Sequence, residues 1–83
     1  MISMEIDLHG FYLWDAIEEI TYTLDICKIN GEKELSIIHG YRRGNVIKNY
    51  LQSEGFLVKM KREGFILKRK KNSNPGVSTF IVC

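Results

Sequence analysis

Ile6-Asp7-Leu8-His9-Gly10 and Ile37-Ile38-His39-Gly40 decide the reading of this chain. Each closes a short β-like run, Met4-Glu5-Ile6-Asp7-Leu8 in the first case and Glu34-Leu35-Ser36-Ile37-Ile38 in the second. A stretch with helical periodicity follows each run. Set as parallel strands of one sheet, the two runs deliver both histidines of the chain to the sheet's carboxyl edge. Ligands bind open α/β sheets at that edge, because strands end and helix N-termini begin there.

Between the motifs, Leu13, Ala16, Ile17, Ile20, Leu24 and Cys27 recur at spacings of three and four, with Asp15, Glu18, Glu19 and Asp25 filling the other side. The pattern predicts an amphipathic helix beginning near Tyr12 or Leu13 and stopping at Asn30-Gly31, a C-terminal cap signal. Trp14, early in that helix, reads as a packing residue. After His39-Gly40 comes a loop through Gly44, then Asn45 as N-cap of a second helix through about Ser53, ended by Gly55. Apolar and basic residues alternate over 57–62, which predicts a third strand, and 77–82 reads as a fourth. The basic excursion 63–76 either extends the hairpin strands or loops freely. It holds Phe65, readable as core or as a stacking face, and the run Lys68-Arg69-Lys70-Lys71. Asn72-Ser73-Asn74-Pro75-Gly76 is a turn by every local signal. The order is βαβαββ, with the first two strands parallel through a right-handed crossover. The fold class is α/β, in the form of an α+β two-layer sandwich: a four-stranded mixed sheet and two helices.

Eighty-three residues make one small domain, since domains commonly run to roughly 100–150 residues. Its 45% apolar content suits a packed core, and no apolar run approaches the roughly 18–20 residues that span a bilayer. Cys27 and Cys83 lie far apart, with no CxxC pair and no signal peptide, so the expectation is a reduced, cytoplasmic protein without a membrane partner. The net charge of +2 hides a strong polarity. Residues 1–38 hold two bases against eight acids, and residues 39–83 hold ten bases against two acids, giving −6 and +8. Such an asymmetry is a common electrostatic footprint of nucleic-acid binding.

With these features assembled, the chain resembles the Smr domain, a small module found at the C-terminus of some bacterial MutS paralogues and in stand-alone proteins. Asp7-Leu8-His9-Gly10 matches the family's first motif, with Ile6 where its longer form has leucine. His39 and Gly40 match the His-Gly-x-Gly motif and Gly44 matches the further glycine that usually follows it before a helix, but Arg42 stands where the second motif glycine belongs. Pro75-Gly76-Val77 before an apolar strand resembles the family's closing segment. The resemblance covers about residues 5–82. It implies a fold like the C-terminal domain of translation initiation factor three, nucleic-acid binding, and DNA-nicking or RNA-cleaving endonuclease activity, with DNA repair among its settings through the MutS kinship.

Asp7 and His9 are two apart, so their side chains leave one face of a strand. A carboxylate beside an imidazole orients it and favours its protonated form. Phosphodiester cleavage needs a base, an acid and charge neutralisation. The candidate catalytic residues are therefore Asp7, His9 and His39. The candidate nucleic-acid-binding residues are Gly10, Gly40, Tyr41, Arg42, Arg43, Gly44, Lys68, Arg69, Lys70 and Lys71. The substitution at Arg42 stiffens the loop and adds charge, exchanging backbone proximity to phosphate for a side-chain contact. No tightly bound cofactor is expected; a divalent magnesium or manganese ion for activity is compatible with the residues, but nothing fixes a ligand spacing. Nucleic acid, DNA or RNA, is the expected partner, and the oligomeric state stays open. Two other readings fit the same residues: a non-catalytic RNA- or DNA-binding module, and a protein-interaction domain using the basic C-terminal half.

Overall fold

Alternation along the strands sorts apolar side chains to one side of a single sheet. The computed structural model describes residues 3–40 and 45–83. The element order is β1 (Ser3–Asp7), α1 (Leu13–Asn30), β2 (Glu34–Ile38), α2 (Val46–Leu51), α3 (Glu54–Arg62), β3 (Leu67–Lys70) and β4 (Val77–Val82). The strands lie in the order β1-β2-β4-β3. β1 is parallel to β2 with Asp7 beside Ile38, and β4 runs antiparallel to β2 and to β3. Thus β1, β2 and β3 point the same way, and their carboxyl ends share one edge with the start of β4.

Leu35, Ile37, Leu67, Phe80 and Val82 form the inner sheet face. They pack against Ala16, Ile20 and Leu24 of α1, Ile47 and Leu51 of α2, and Phe56 and Met60 of α3. Phe56 is the hub of the second half, its ring 5.5 Å from Tyr50 and 5.2 Å from Phe80. A buried phenylalanine of this kind contributes about 1.5–3 kcal/mol through removal of its surface from water. The other sheet face is polar. The Ser36 and Thr79 hydroxyls meet at 3.1 Å, Asn72 Nδ2 donates to Thr79 Oγ1 at 2.8 Å, and Lys70 Nζ donates to Glu34 Oε2 at 2.9 Å.

α1 starts at Leu13 after an extended Tyr12 and ends at Gly31, in agreement with the periodicity. β2 and β4 also lie where the sequence puts them. The segment 57–62 is a correction: it belongs to α3, not to a strand. Its alternation is short, whereas Phe56, Leu57 and Met60 follow helical spacing and place Phe56 and Met60 in the core. Ser53 N-caps α3 by accepting from Phe56 N–H at 3.3 Å, and Lys59, Lys61 and Arg62 fall in the last turn, where the helix dipole favours cations. Gly55 therefore lies inside α3 instead of ending α2, which stops earlier, at Leu51. The third strand is Leu67–Lys70 within the basic excursion, so the sheet keeps four strands while the helices number three among the described residues. Phe65 is core, 5% exposed. Trp14 corrects the packing expectation, because 71% of it is exposed. Both cysteines are free, Cys27 buried and Cys83 exposed.

Candidate active site

The first motif is a strand end followed by a tight turn. Leu8, 1% exposed, is the anchor, and its N–H donates to Ile38 O at 2.7 Å, which carries the parallel pairing one residue past β1. Phe11 N–H then donates to Leu8 O at 3.0 Å, closing a turn whose third residue, Gly10, has φ +81°. That is the type II signature, which favours glycine at this position. Flanked by a buried leucine and a glycine, His9 is carried outward.

Asp7 holds His9 twice. Its Oδ1 accepts the His9 backbone N–H at 3.0 Å and the ring Nδ1 at 2.6 Å. The carboxylate can only accept, so it sets the ring hydrogen on Nδ1 and leaves Nε2 with its lone pair in the neutral ring. Among the described residues no partner holds Nε2, and the His9 side chain is 73% exposed. The His9 imidazole, and then its backbone N–H, hold the Asp7 carboxyl below the ordinary carboxylate range. An oriented imidazole open to solvent beside an ionised carboxylate can take a proton from a hydroxyl and stabilise the imidazolium that results.

His39 is placed differently. It is 7% exposed, and both ring nitrogens are engaged: Nδ1 donates to Gly40 O at 2.8 Å, and Nε2 pairs with the Ser78 hydroxyl at 2.9 Å. The backbone N–H groups of His39 and Gly40 both donate to Gly76 O, at 2.9 and 3.1 Å. These bonds clasp the end of β2 to the start of β4. Gly40 has φ +77°, and a Cβ there would lie 3.6 Å from the His9 Cβ. The two motifs therefore meet at Gly40 and His9, while the His39 ring is engaged between Gly40 and β4. Ser78 carries no signal in the sequence, being a lone serine in a strand, whereas Gly76 belongs to the Asn72-Ser73-Asn74-Pro75-Gly76 turn.

The basic residues divide. Tyr41, Arg42, Arg43 and Gly44 lie outside the described residues. On β3 the alternation sends Arg69 toward the helices, where Nη2 donates to Leu51 O at 3.3 Å and Ser53 O at 2.8 Å. Lys70 pairs with Glu34, while Lys68 and Lys71 are exposed and without a partner among the described residues. Lys70 and Lys71 share the carboxyl edge with His9, but two strands intervene, a lateral distance of about 14 Å. Among the described residues, no three His, Cys, Asp or Glu side chains gather as a metal site. Asp7 and His9 offer two donors in contact with each other, fewer than an all-protein metal cage requires.

The family model of the Smr domain matches residues 6–73, from within β1 to the turn before β4. The chain belongs to the Smr domain family. A crystal structure of the Smr domain of Thermus thermophilus MutS2 has the same fold, with TM-score 0.72 and 22% identity over 96% of this chain and 98% of that one. No curated protein matches the chain. In this Smr domain Asp7-Leu8-His9-Gly10 and His39-Gly40 sit at strand ends on one edge of the sheet, and no helix among the described residues is long and apolar enough to cross a membrane.

Proposed function

We propose that this Smr domain binds nucleic acid along the carboxyl edge of its sheet and cleaves a phosphodiester there, with His9 as general base and Asp7 as its positioning partner. The observation that carries the reading is the double hold of Asp7 Oδ1 on an otherwise solvent-facing His9. In the reaction, His9 Nε2 takes the proton of the attacking hydroxyl, from water or from a ribose, as its oxygen bonds to phosphorus. The bond to the leaving oxygen breaks, that oxygen takes a proton from solvent, and the imidazolium returns its proton to solvent. Asp7 stabilises the imidazolium meanwhile. His39 serves as the clasp that sets Gly40 beside His9. Arg42 and Arg43, which directly follow the Gly40-Tyr41 step in sequence, supply phosphate contacts, as do Lys71 at the carboxyl end of β3 and Lys68 further back on the polar face of the sheet. A magnesium or manganese ion, if used, is recruited with the substrate phosphate and water rather than caged by this chain. A reducing cytoplasmic setting suits the two free thiols.

The test pairs binding with cleavage of supercoiled plasmid and of structured RNA, with and without divalent metal. Affinity should fall with salt by about 0.7–0.9 per phosphate neutralised on a log–log plot. Replacing Arg42 and Arg43 by Ala should flatten that slope. His9→Ala, with native circular dichroism, should keep binding and lose roughly 10²–10⁴-fold in cleavage. Undiminished cleavage by that variant removes His9 from the mechanism. Salt-dependent binding by a wild type that cleaves neither substrate makes the protein a non-catalytic module.

A further inference from the structure

Of the four aromatic side chains exposed among the described residues, three fall within four consecutive positions: Phe11 at 42%, Tyr12 at 82% and Trp14 at 71%. The same chain buries Phe56, Phe65 and Phe80 to 5% or less, so its core takes aromatics readily. The exposed group directly follows His9-Gly10. Tyr12 lies three residues from His9, within about 11 Å by chain length alone. Local structure gives these residues little reason to be aromatic. Tyr12 occupies the N-cap of α1, where Ser, Thr, Asp or Asn would accept a hydrogen bond, and its side chain makes none. Trp14 sits in the first turn on the side of α1 away from Ala16 and Ile20, which carry the packing.

The charges nearby narrow what could cover this patch. Asp7 and Asp15 flank it, both exposed, and they disfavour a phosphate lying directly on it. A nucleobase is uncharged and presents a flat face that stacks on aromatic rings, whatever its sequence. We propose that Tyr12 and Trp14, with Phe11 beside them, form a stacking platform for unpaired nucleobases next to the Asp7–His9 pair. The platform selects single-stranded segments, DNA or RNA, over continuous duplex, whose bases are already stacked on one another. The proposal rests on the nucleic-acid reading above and deepens it. Bases are gripped at the aromatic turn, phosphates are held by the basic half, and the scissile linkage lies at His9 between them.

Trp14 is the chain's single tryptophan, so its fluorescence reports on the platform directly. The probes are oligo(dT) and oligo(U) of about 12 nucleotides, within the usual site size of one small binding domain, and a duplex of the same length. Trp14 emission should be quenched by both single strands, and affinity for them should exceed that for the duplex. Tyr12→Ala combined with Trp14→Ala should weaken single-strand binding about 5- to 150-fold per stacked base lost. It should leave duplex affinity and the salt slope unchanged, because no charge is removed. Tyr12→Phe with Trp14→Phe should restore most of the loss. Equal loss on duplex and single strand, or no loss on either, overturns the platform and leaves the patch to a protein partner. Duplex binding without single-strand binding overturns it while sparing the nucleic-acid reading. Failure of the wild type to bind any of the three probes overturns both. A stronger quench by oligo(U) than by oligo(dT), or the reverse, distinguishes RNA from DNA as the source of the bases.

Discussion

Replacing His39 by Ala separates a clasp from a phosphate ligand. The ring is 7% exposed and makes hydrogen bonds to Gly40 O and the Ser78 hydroxyl, at 2.8 and 2.9 Å. Each such bond is worth about 0.5–1.5 kcal/mol net, and loss of the buried ring's packing adds on the order of 1 kcal/mol. His39→Ala should therefore cost about 2–4 kcal/mol, a large share of the roughly 4–12 kcal/mol expected for a domain of this size. At about 4–8 °C per kcal/mol, Tm should fall by about 10–30 °C in thermal unfolding. Ser78→Ala keeps the ring and loses one bond, so it should cost only about 0.5–1.5 kcal/mol. Cleavage should fall in both variants in the same order as stability, because the clasp sets Gly40 against His9. A His39→Ala protein that keeps the wild-type Tm while losing phosphate binding would refute the clasp and return His39 to the substrate.

The Asp7 carboxyl sits below its ordinary range because its anion accepts hydrogen bonds from the His9 ring and N–H. The hold is therefore complete above the ordinary carboxylate range and is lost as pH falls through the lowered value. A carboxyl NMR titration of His9→Ala should bring Asp7 back up toward that range, and an unmoved Asp7 would exclude the imidazole as the cause. Gly10, Gly31 and Gly40 have φ of +81°, +72° and +77°, so Ala at any of them should cost about 1–2 kcal/mol of backbone strain in urea unfolding. Only Gly10→Ala and Gly40→Ala should also slow cleavage; a comparable slowing from Gly31→Ala, at the far end of α1, would mean that the loss comes from stability alone. Arg69→Met should lower stability by about 1–3 kcal/mol, since it strips donors from Leu51 O and Ser53 O, and should barely change the salt slope of binding. An unchanged Tm with a flatter slope would put Arg69 on the nucleic acid instead.

Much of the sheet was legible because its signals are local. Glu34-Leu35-Ser36-Ile37-Ile38 and residues 77–82 are bounded by turn residues, and α1 repeats its apolar spacing over five turns before Gly31. The misreading at 57–62 came from a run too short for its period to be distinctive. Val58-Lys59-Met60-Lys61 alternates like a strand, and the Ser53 cap together with the packing of Phe56 on Tyr50 and on the distant Phe80 selects the helix. Tertiary packing overrides a weak local pattern in such cases. The site was legible in part for the same reason. Asp7 and His9 are two apart and their contact is local, whereas the His39–Ser78 bond spans 39 positions and depends on β4 lying beside β2.

The four-residue basic run shows how position along a strand divides residues that look alike in sequence. In β3 successive side chains leave opposite faces. Leu67 and Arg69 turn toward the helices, where one fills the core and the other ties α2 to α3. Lys68 and Lys70 turn to the polar face, and there Lys70 is drawn to Glu34. Of the run's four charges, therefore, two are engaged within the fold, and the charge free for phosphate is smaller than the composition suggests. The same division acts in reverse on the first half of the chain. It is acidic as a whole, yet the residues just after His9 expose uncharged aromatic rings, the kind of surface on which the proposed stacking of bases depends.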